Sequence, residues 1–152
     1  MKLGEVTMSD VPREIFDRHS HKLPENFKKR AEHWYGETER VAKGVDAWRR
    51  GDIEEFGKLI FESGRSSIYN YETGSPELKK LYEIMLDTKG IYGGRFSGAG
   101  FKGCCMAIID PMYEAEILEK IEREYLAAFP ELTGKFMSAI CQSADGVGAS
   151  IC

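Results

Sequence analysis

Apolar positions along this chain recur first with a helical period and later with a strand period. From 27 to 48, Phe27, Ala31, Trp34, Thr38, Val41, Val45 and Trp48 follow at spacings alternating four and three, with the threonine counted as semi-polar. That stripe predicts a long amphipathic helix with these residues facing a core. Gly51 closes it. Asp52, with Glu55 three residues on, outlines a capping box for a second helix lined by Ile53, Phe56, Leu59 and Ile60. The short joint predicts an antiparallel pair. Upstream, Ser9-Asp10 predicts the cap of a short helix toward His19, with Val11, Ile15 and Phe16 as its apolar side, before Leu23-Pro24-Glu25-Asn26 breaks and recaps the chain.

From Ser63 to Gly74 the pattern turns polar, and Ser75-Pro76 opens a third helix with proline at its first position. Leu78, Leu81, Tyr82 and Met85 form its inner stripe, and Gly90 ends it. The period then changes. IYGGRFS (91–97) and CCMAIID (104–110) predict two strands joined by GAGFKG; the second is apolar on both faces, as in a central strand covered on both sides. Asp110-Pro111 opens a fourth helix with Ile117, Ile121, Tyr125 and Ala128 inward, widened by Leu118 and Phe129. KFMSAICQ (135–142) and VGASIC (147–152) predict two last strands about a turn at Asp145-Gly146. The sum is an α+β fold over 1–152 as one domain. It has two layers, an antiparallel sheet with helices mainly on one face, and the helical first half beside or over it.

Composition narrows the partners. The chain has 152 residues, 42% apolar and 30% charged, a balance suited to one soluble core. Its 21 basic and 25 acidic residues give −4, which argues against nucleic acid, and Lys28-Lys29-Arg30 reads as a solvated helix face. No apolar run nears the roughly 20 residues that span a bilayer. The opening MKLGEVTMSD lacks a secretion-signal pattern, so the expectation is a cytoplasmic protein without a membrane partner. Cys104, Cys105, Cys141 and Cys152 form no CxxC pair. The adjacent pair should point to opposite faces of a strand, as small buried apolar residues in a reducing compartment. His19-Ser20-His21 lacks a carboxylate or cysteine partner, so no metal site is expected. Glutamates 114, 116, 119, 122 and 124 interleave with Lys120 and Arg123 as a solvated helix face. Tyr69, Asn70 and Tyr71 fit either a cleft lining or a capped helix end.

Candidate chemistry gathers in GGRFSGAGFKG. Five glycines, 93, 94, 98, 100 and 103, fall in eleven residues. Glycine permits positive φ and removes the side chain that would hold a ligand off, so successive N–H groups can converge on an anion. Ser97 adds a hydroxyl, and Arg95 and Lys102 add charge, although strand alternation can turn Arg95 away. The motif is not GxxxxGK[ST], and joining strand to strand it is not a dinucleotide fingerprint. On spacing alone, a ligand loop and a long hairpin turn remain equal readings.

GGRFSGAGFKGCCMAIID resembles the third motif of the GHMP small-molecule kinases, the group of galactokinase, homoserine, mevalonate and phosphomevalonate kinases. Gly94, Arg95, Gly98, Gly100, Phe101, Gly103 and Cys104 match the galactokinase frame, with Ser97 for threonine and Ala99 for glycine. RAEHWYGETERV (30–41) is similar to a galactokinase helix motif, and Glu62-Ser63, Tyr71-Glu72 and Ser75-Pro76-Glu77-Leu78 follow in the family's order. SSIYNYETGS and RFSGAGFKGCC resemble galacturonokinase-like members. The resemblance implies a ferredoxin-like GHMP kinase C-terminal domain with an N-terminal helical segment. In the complete kinase, ATP and magnesium serve transfer of a phosphoryl group to a sugar of carbohydrate metabolism. It carries Ser97, Gly98, Ala99, Gly100 and Phe101 over as substrate- or phosphate-binding positions, and no catalytic residue; Lys102, where galactokinases tend to have glycine, joins them as a cation beside the sugar. The family's P-x-x-x-G-L-x-S-S-A loop, its sugar-binding N-terminal motif and its catalytic aspartate and arginine are not in these 152 residues. The expected partners are therefore an N-terminal kinase domain and a sugar or sugar acid, with Lys102 suiting a uronate. The expected chain is inactive alone, binds ATP weakly, and self-associates through its apolar strand 104–109. The alternative is a stand-alone small-molecule-binding or protein-interaction module derived from that domain.

Overall fold

The computed structural model of the protein describes residues 6–142, and the helical half of the chain forms where its period places it. Helix α1 is Arg13–His19, α2 is Glu25–Arg49 and α3 is Ile53–Tyr69. Gly51 takes a φ of 70°, and the Asp52 carboxylate accepts from Glu55 N at 3.1 Å, capping α3. The two long helices thereby turn back on each other. Helix α4, Pro76–Leu86, has Ser75 as its cap, and strands β1 (Ile91–Phe96) and β2 (Cys105–Ile109) follow. Asp110 caps a 3-10 turn, Pro111–Tyr113, that leads into α5, Glu114–Ala128.

The strands pair antiparallel, Gly94 opposite Ala107 and Phe96 opposite Cys105, with an irregularity between Ile91 and Gly93. Helix α3 lies directly on β1. A Cβ on Gly93 would fall 2.2 Å from the Gly57 carbonyl oxygen, and one on Gly57 would fall 2.2 Å from that of Tyr92. Only glycine at both positions lets the backbones meet. The main core joins Ile68 of α3, Leu78, Tyr82 and Met85 of α4, and Phe96, which is 1% exposed. A second cluster, Phe16, Ala31 and Tyr35, docks α1 on α2, with Tyr35 Oη donating to the Val11 carbonyl at 2.7 Å. The fold is α+β, with helices against a small antiparallel sheet.

Several expectations change. The α2 stripe faces the core only in part: Ala31 is buried and Trp34 packs half-buried beside it, but Phe27, Thr38, Val41, Val45 and Trp48 are exposed, and Tyr35, Gly44 and Ala47 are buried instead. Small residues win because they let α3 approach, and a Cβ on Gly44 would already stand 3.5 Å from the Phe56 ring. In α1 only Phe16 is buried, and Ser9-Asp10 belongs to a separate 3-10 turn closed by Thr7 and Asp10. The polar stretch from Ser63 stays helical to Tyr69, because its serines bond within the fold. Strand β2 is not covered on both sides: Met106 is 60% exposed and Ala107 is exposed. Cys104 is exposed rather than buried. The strand expected at 135–142 does not form; no third strand lies in the sheet of the described residues to pair with it, and Phe136 packs on Tyr125 at 5.0 Å. The strand expected at 147–152, its turn and Cys152 lie outside the described residues.

Candidate functional site

The β1–β2 crossover presents the glycine-rich loop. Ser97 N donates to Cys104 O at 2.8 Å, closing the hairpin, and Ser75 N donates to Gly100 O at 2.6 Å, tying the loop to the start of α4. Gly98, Ala99, Phe101 and Lys102 are exposed, Ser97 is half-buried and Gly100 is buried. Gly100 combines a φ of 80° with a close approach: a Cβ there would lie 2.5 Å from the Phe96 ring. Among the described residues the backbone N–H groups of residues 98–103 donate to no backbone or side-chain acceptor. The loop is thus anchored through the Gly100 carbonyl and leaves the N–H groups of 98–103 without a partner among the described residues. Lys102 enters no ion pair among the described residues.

The segment preceding α4 borders this loop. Glu72 has a φ of 59°, unusual for a residue with a side chain. Its carboxylate meets Lys29 at 3.4 Å and Arg30 at 3.0 Å, and these contacts hold its carboxyl below the usual range. Tyr71 lies against His33, ring centroids 5.0 Å apart, with the Arg30 guanidinium 5.9 Å from its own centroid. The N-terminal part of α2 therefore braces the loop's neighbour. Tyr69 and Asn70 face another way. With Arg40, Glu62, Arg65 and Ser66 they line an open pocket of about 480 Å³.

Arg95 points away from the loop into a polar cluster between α2 and α3. Its guanidinium donates to Ser63 Oγ and, at 3.4 Å, to Ser67 Oγ, and lies 3.7 Å from Glu37. Glu37 also accepts from Ser63 Oγ at 2.7 Å and from Arg40 at 2.5 and 2.9 Å. His33 Nδ1 is 2.9 Å from Ser66 Oγ. Burial opposes the Glu37 charge, but the Ser63 and Arg40 hydrogen bonds prevail and hold its carboxyl low; burial pushes the His33 imidazole down. The sequence reading missed this cluster as a unit. Its signal was present: His33, Glu37 and Arg40 share one helix face, and Ser63, Ser66 and Ser67 recur at helical spacing on the facing helix. Among the described residues no group of three His, Cys, Asp or Glu side chains is placed to hold a metal ion. No helix among them is long and apolar enough to cross a membrane.

A helical hairpin laid on two antiparallel strands joined by a glycine-rich loop defines an α+β domain. The sequence profile described as GHMP kinases C terminal matches residues 45–128, more than half of the chain. A galacturonokinase of Arabidopsis thaliana is 45% identical over 145 residues, covering 93% of this chain and 34% of that protein. A galactokinase of Roseiflexus sp. is 32% identical, covering 95% and 36%. The solved structure of Lactococcus lactis galactokinase complexed with galactose superposes with a TM-score of 0.76 at 27% identity, covering 85% of this chain and 34% of that one. The chain belongs to the GHMP kinases and corresponds to their C-terminal domain. It spans about a third of the length of the curated relatives it matches.

Proposed function

We propose that this domain forms one wall of the substrate and phosphate cleft of an ATP-dependent sugar kinase, with a sugar acid of the galacturonate type as acceptor. The 45% identity to a galacturonokinase over nearly the whole chain carries this reading. Ser97, Gly98, Ala99, Gly100, Phe101 and Lys102 contribute the wall. The N–H groups of 98–102, which make no hydrogen bond among the described residues, and the Ser97 hydroxyl orient phosphate or sugar oxygens, and transfer of this kind depends on positioning and charge stabilisation. ATP and magnesium act in the complete kinase. Lys102, exposed at the loop, pairs with the sugar carboxylate, since a cation there distinguishes a uronate from its neutral sugar. In a kinase joining this domain to its N-terminal half, Lys102→Gly should raise KM for galacturonate about tenfold, equivalent to about 1.4 kcal/mol, and leave galactose kinetics unchanged. Equal effects on both sugars would remove Lys102 from sugar selection.

A further inference from the structure

An open groove of about 440 Å³ runs between α2 and α3, away from the glycine-rich loop. On α2 it is bordered by Glu37, Val41, Gly44 and Trp48, spaced four, three and four residues apart. On α3 it is bordered by Phe56, Leu59 and Ser63, spaced three and four apart. Gly44, Leu59 and Ser63 form the buried floor where α2 and α3 meet, whereas Val41, Val45 and Trp48, four and three residues apart, stand exposed on the α2 rim with the alternation by which helices interlock side by side. The rim is apolar yet uncovered: Val41 is 64% exposed and Trp48 is 62% exposed, although Trp48 leans on Phe56 at 5.1 Å. These are the same α2 residues whose periodicity predicts a buried stripe, so the sequence encodes a second packing face that the described residues do not fill.

The polar end of the groove specifies charge. Arg40 and Arg95 share the single carboxylate of Glu37, at 2.5 and 3.7 Å, and neither has another acidic partner among the described residues. Two half-buried guanidiniums on one carboxylate leave one positive charge in surplus. At the opposite end Arg49 sits on the rim, only loosely met by Asp46 at 3.9 Å. An apolar trough with a cation at each end selects an apolar helix face flanked by carboxylates.

We propose that the α2–α3 groove seats an amphipathic α-helix of a partner polypeptide, apolar at four-three spacing and acidic where it meets Arg40 and Arg95. The groove's lining shares no residue with the loop 97–102. The test uses an 18-residue synthetic helix with leucines at heptad a and d positions and flanking glutamates, and a second peptide with those glutamates replaced by lysines. Both are titrated into isotope-labelled protein. The glutamate peptide should shift the methyl signals of Val41, Val45, Leu59 and Ile60, and the lysine peptide should bind at least tenfold more weakly. Val41→Glu, at an exposed position, should weaken the glutamate peptide at least tenfold with an unchanged circular dichroism spectrum and Tm. Equal binding of both peptides, shifts centred elsewhere, or indifference to Val41→Glu would overturn the proposal. So would sedimentation showing a dimer that Val41→Glu dissociates, because the groove would then belong to a second copy.

Discussion

Gly93 and Gly98 sit in one glycine-rich stretch for different physical reasons. Gly93 is demanded by the α3 backbone 2.2 Å from where its Cβ would stand, whereas Gly98 faces open space and needs only a φ of 68°. Gly93→Ala should therefore destabilise the fold by about 3 kcal/mol through forced separation of helix and strand. Gly98→Ala should cost about 1 kcal/mol, the penalty of a left-handed backbone with a side chain. Denaturant unfolding of the two variants measures the difference, and a reversed order would refute the division between packing and loop glycines. The Glu37 cluster makes a second prediction. A carboxyl depressed in the fold stabilises above its unfolded value of 4.5, and that stability is lost as pH falls through the folded value. His33, pushed below 6.5 by burial, acts in the same direction: its contribution is complete above 6.5 and fades as acidification charges the buried ring. Stability should therefore fall with pH in two stages. His33→Gln should flatten the upper stage and Glu37→Gln the lower, as read from Tm against pH.

At the scale of elements, periodicity located the helices but did not choose their inner faces. In its C-terminal half helix α2 carries two candidate faces, and the bulkier one, through Val41, Val45 and Trp48, lies outside because Gly44 and Ala47 permit closer packing. Burial rewards total apolar area removed from water, and close approach of two whole helices outweighs the apolarity of one stripe. Ser63, Ser66 and Ser67 likewise interrupt the apolar pattern without ending the helix. A serine is tolerated inside a helix when its hydroxyl finds a partner, as Ser67 does with the Ser63 carbonyl at 3.0 Å. Strand β2 separates its neighbouring cysteines by alternation: Cys104 is exposed, while burial pushes the Cys105 thiol up to about 12, its sulfur 3.8 Å from the Leu78 carbonyl. Thiolate is the reactive form. Iodoacetamide at pH 8 should modify Cys104 and Cys141 well before Cys105, as peptide mass spectrometry resolves; early alkylation of Cys105 would place β2 differently.

At the scale of the molecule, the donor-rich loop stands at one end of the helical hairpin and the uncovered groove lies along it. On the proposed reading this domain is one wall of a cleft, and the chain spans only about a third of the kinases it matches. The 152 residues should accordingly bind a sugar acid or a phosphate weakly through the loop amides of 98–103 and transfer no phosphoryl group. Phosphorus NMR of the chain with ATP, magnesium and galacturonate checks this, and protein-dependent sugar phosphate would refute it.

The sequence by itself determined the helix periods, the crossover at 97–104 and the ordered motifs that mark a GHMP kinase C-terminal domain, because local spacing and residue chemistry suffice for these. Which α2 face is buried, where Arg95 points, and how Glu37 is shared were decided only by tertiary structure. Each depends on the distance between residues far apart in the chain, and Arg95 meets Ser63 only once α3 has settled on β1. The loop shows both levels at once. Its glycines are legible as freedom to turn, but Gly93 becomes a contact and Gly98 a bend only when the helix above β1 is in place.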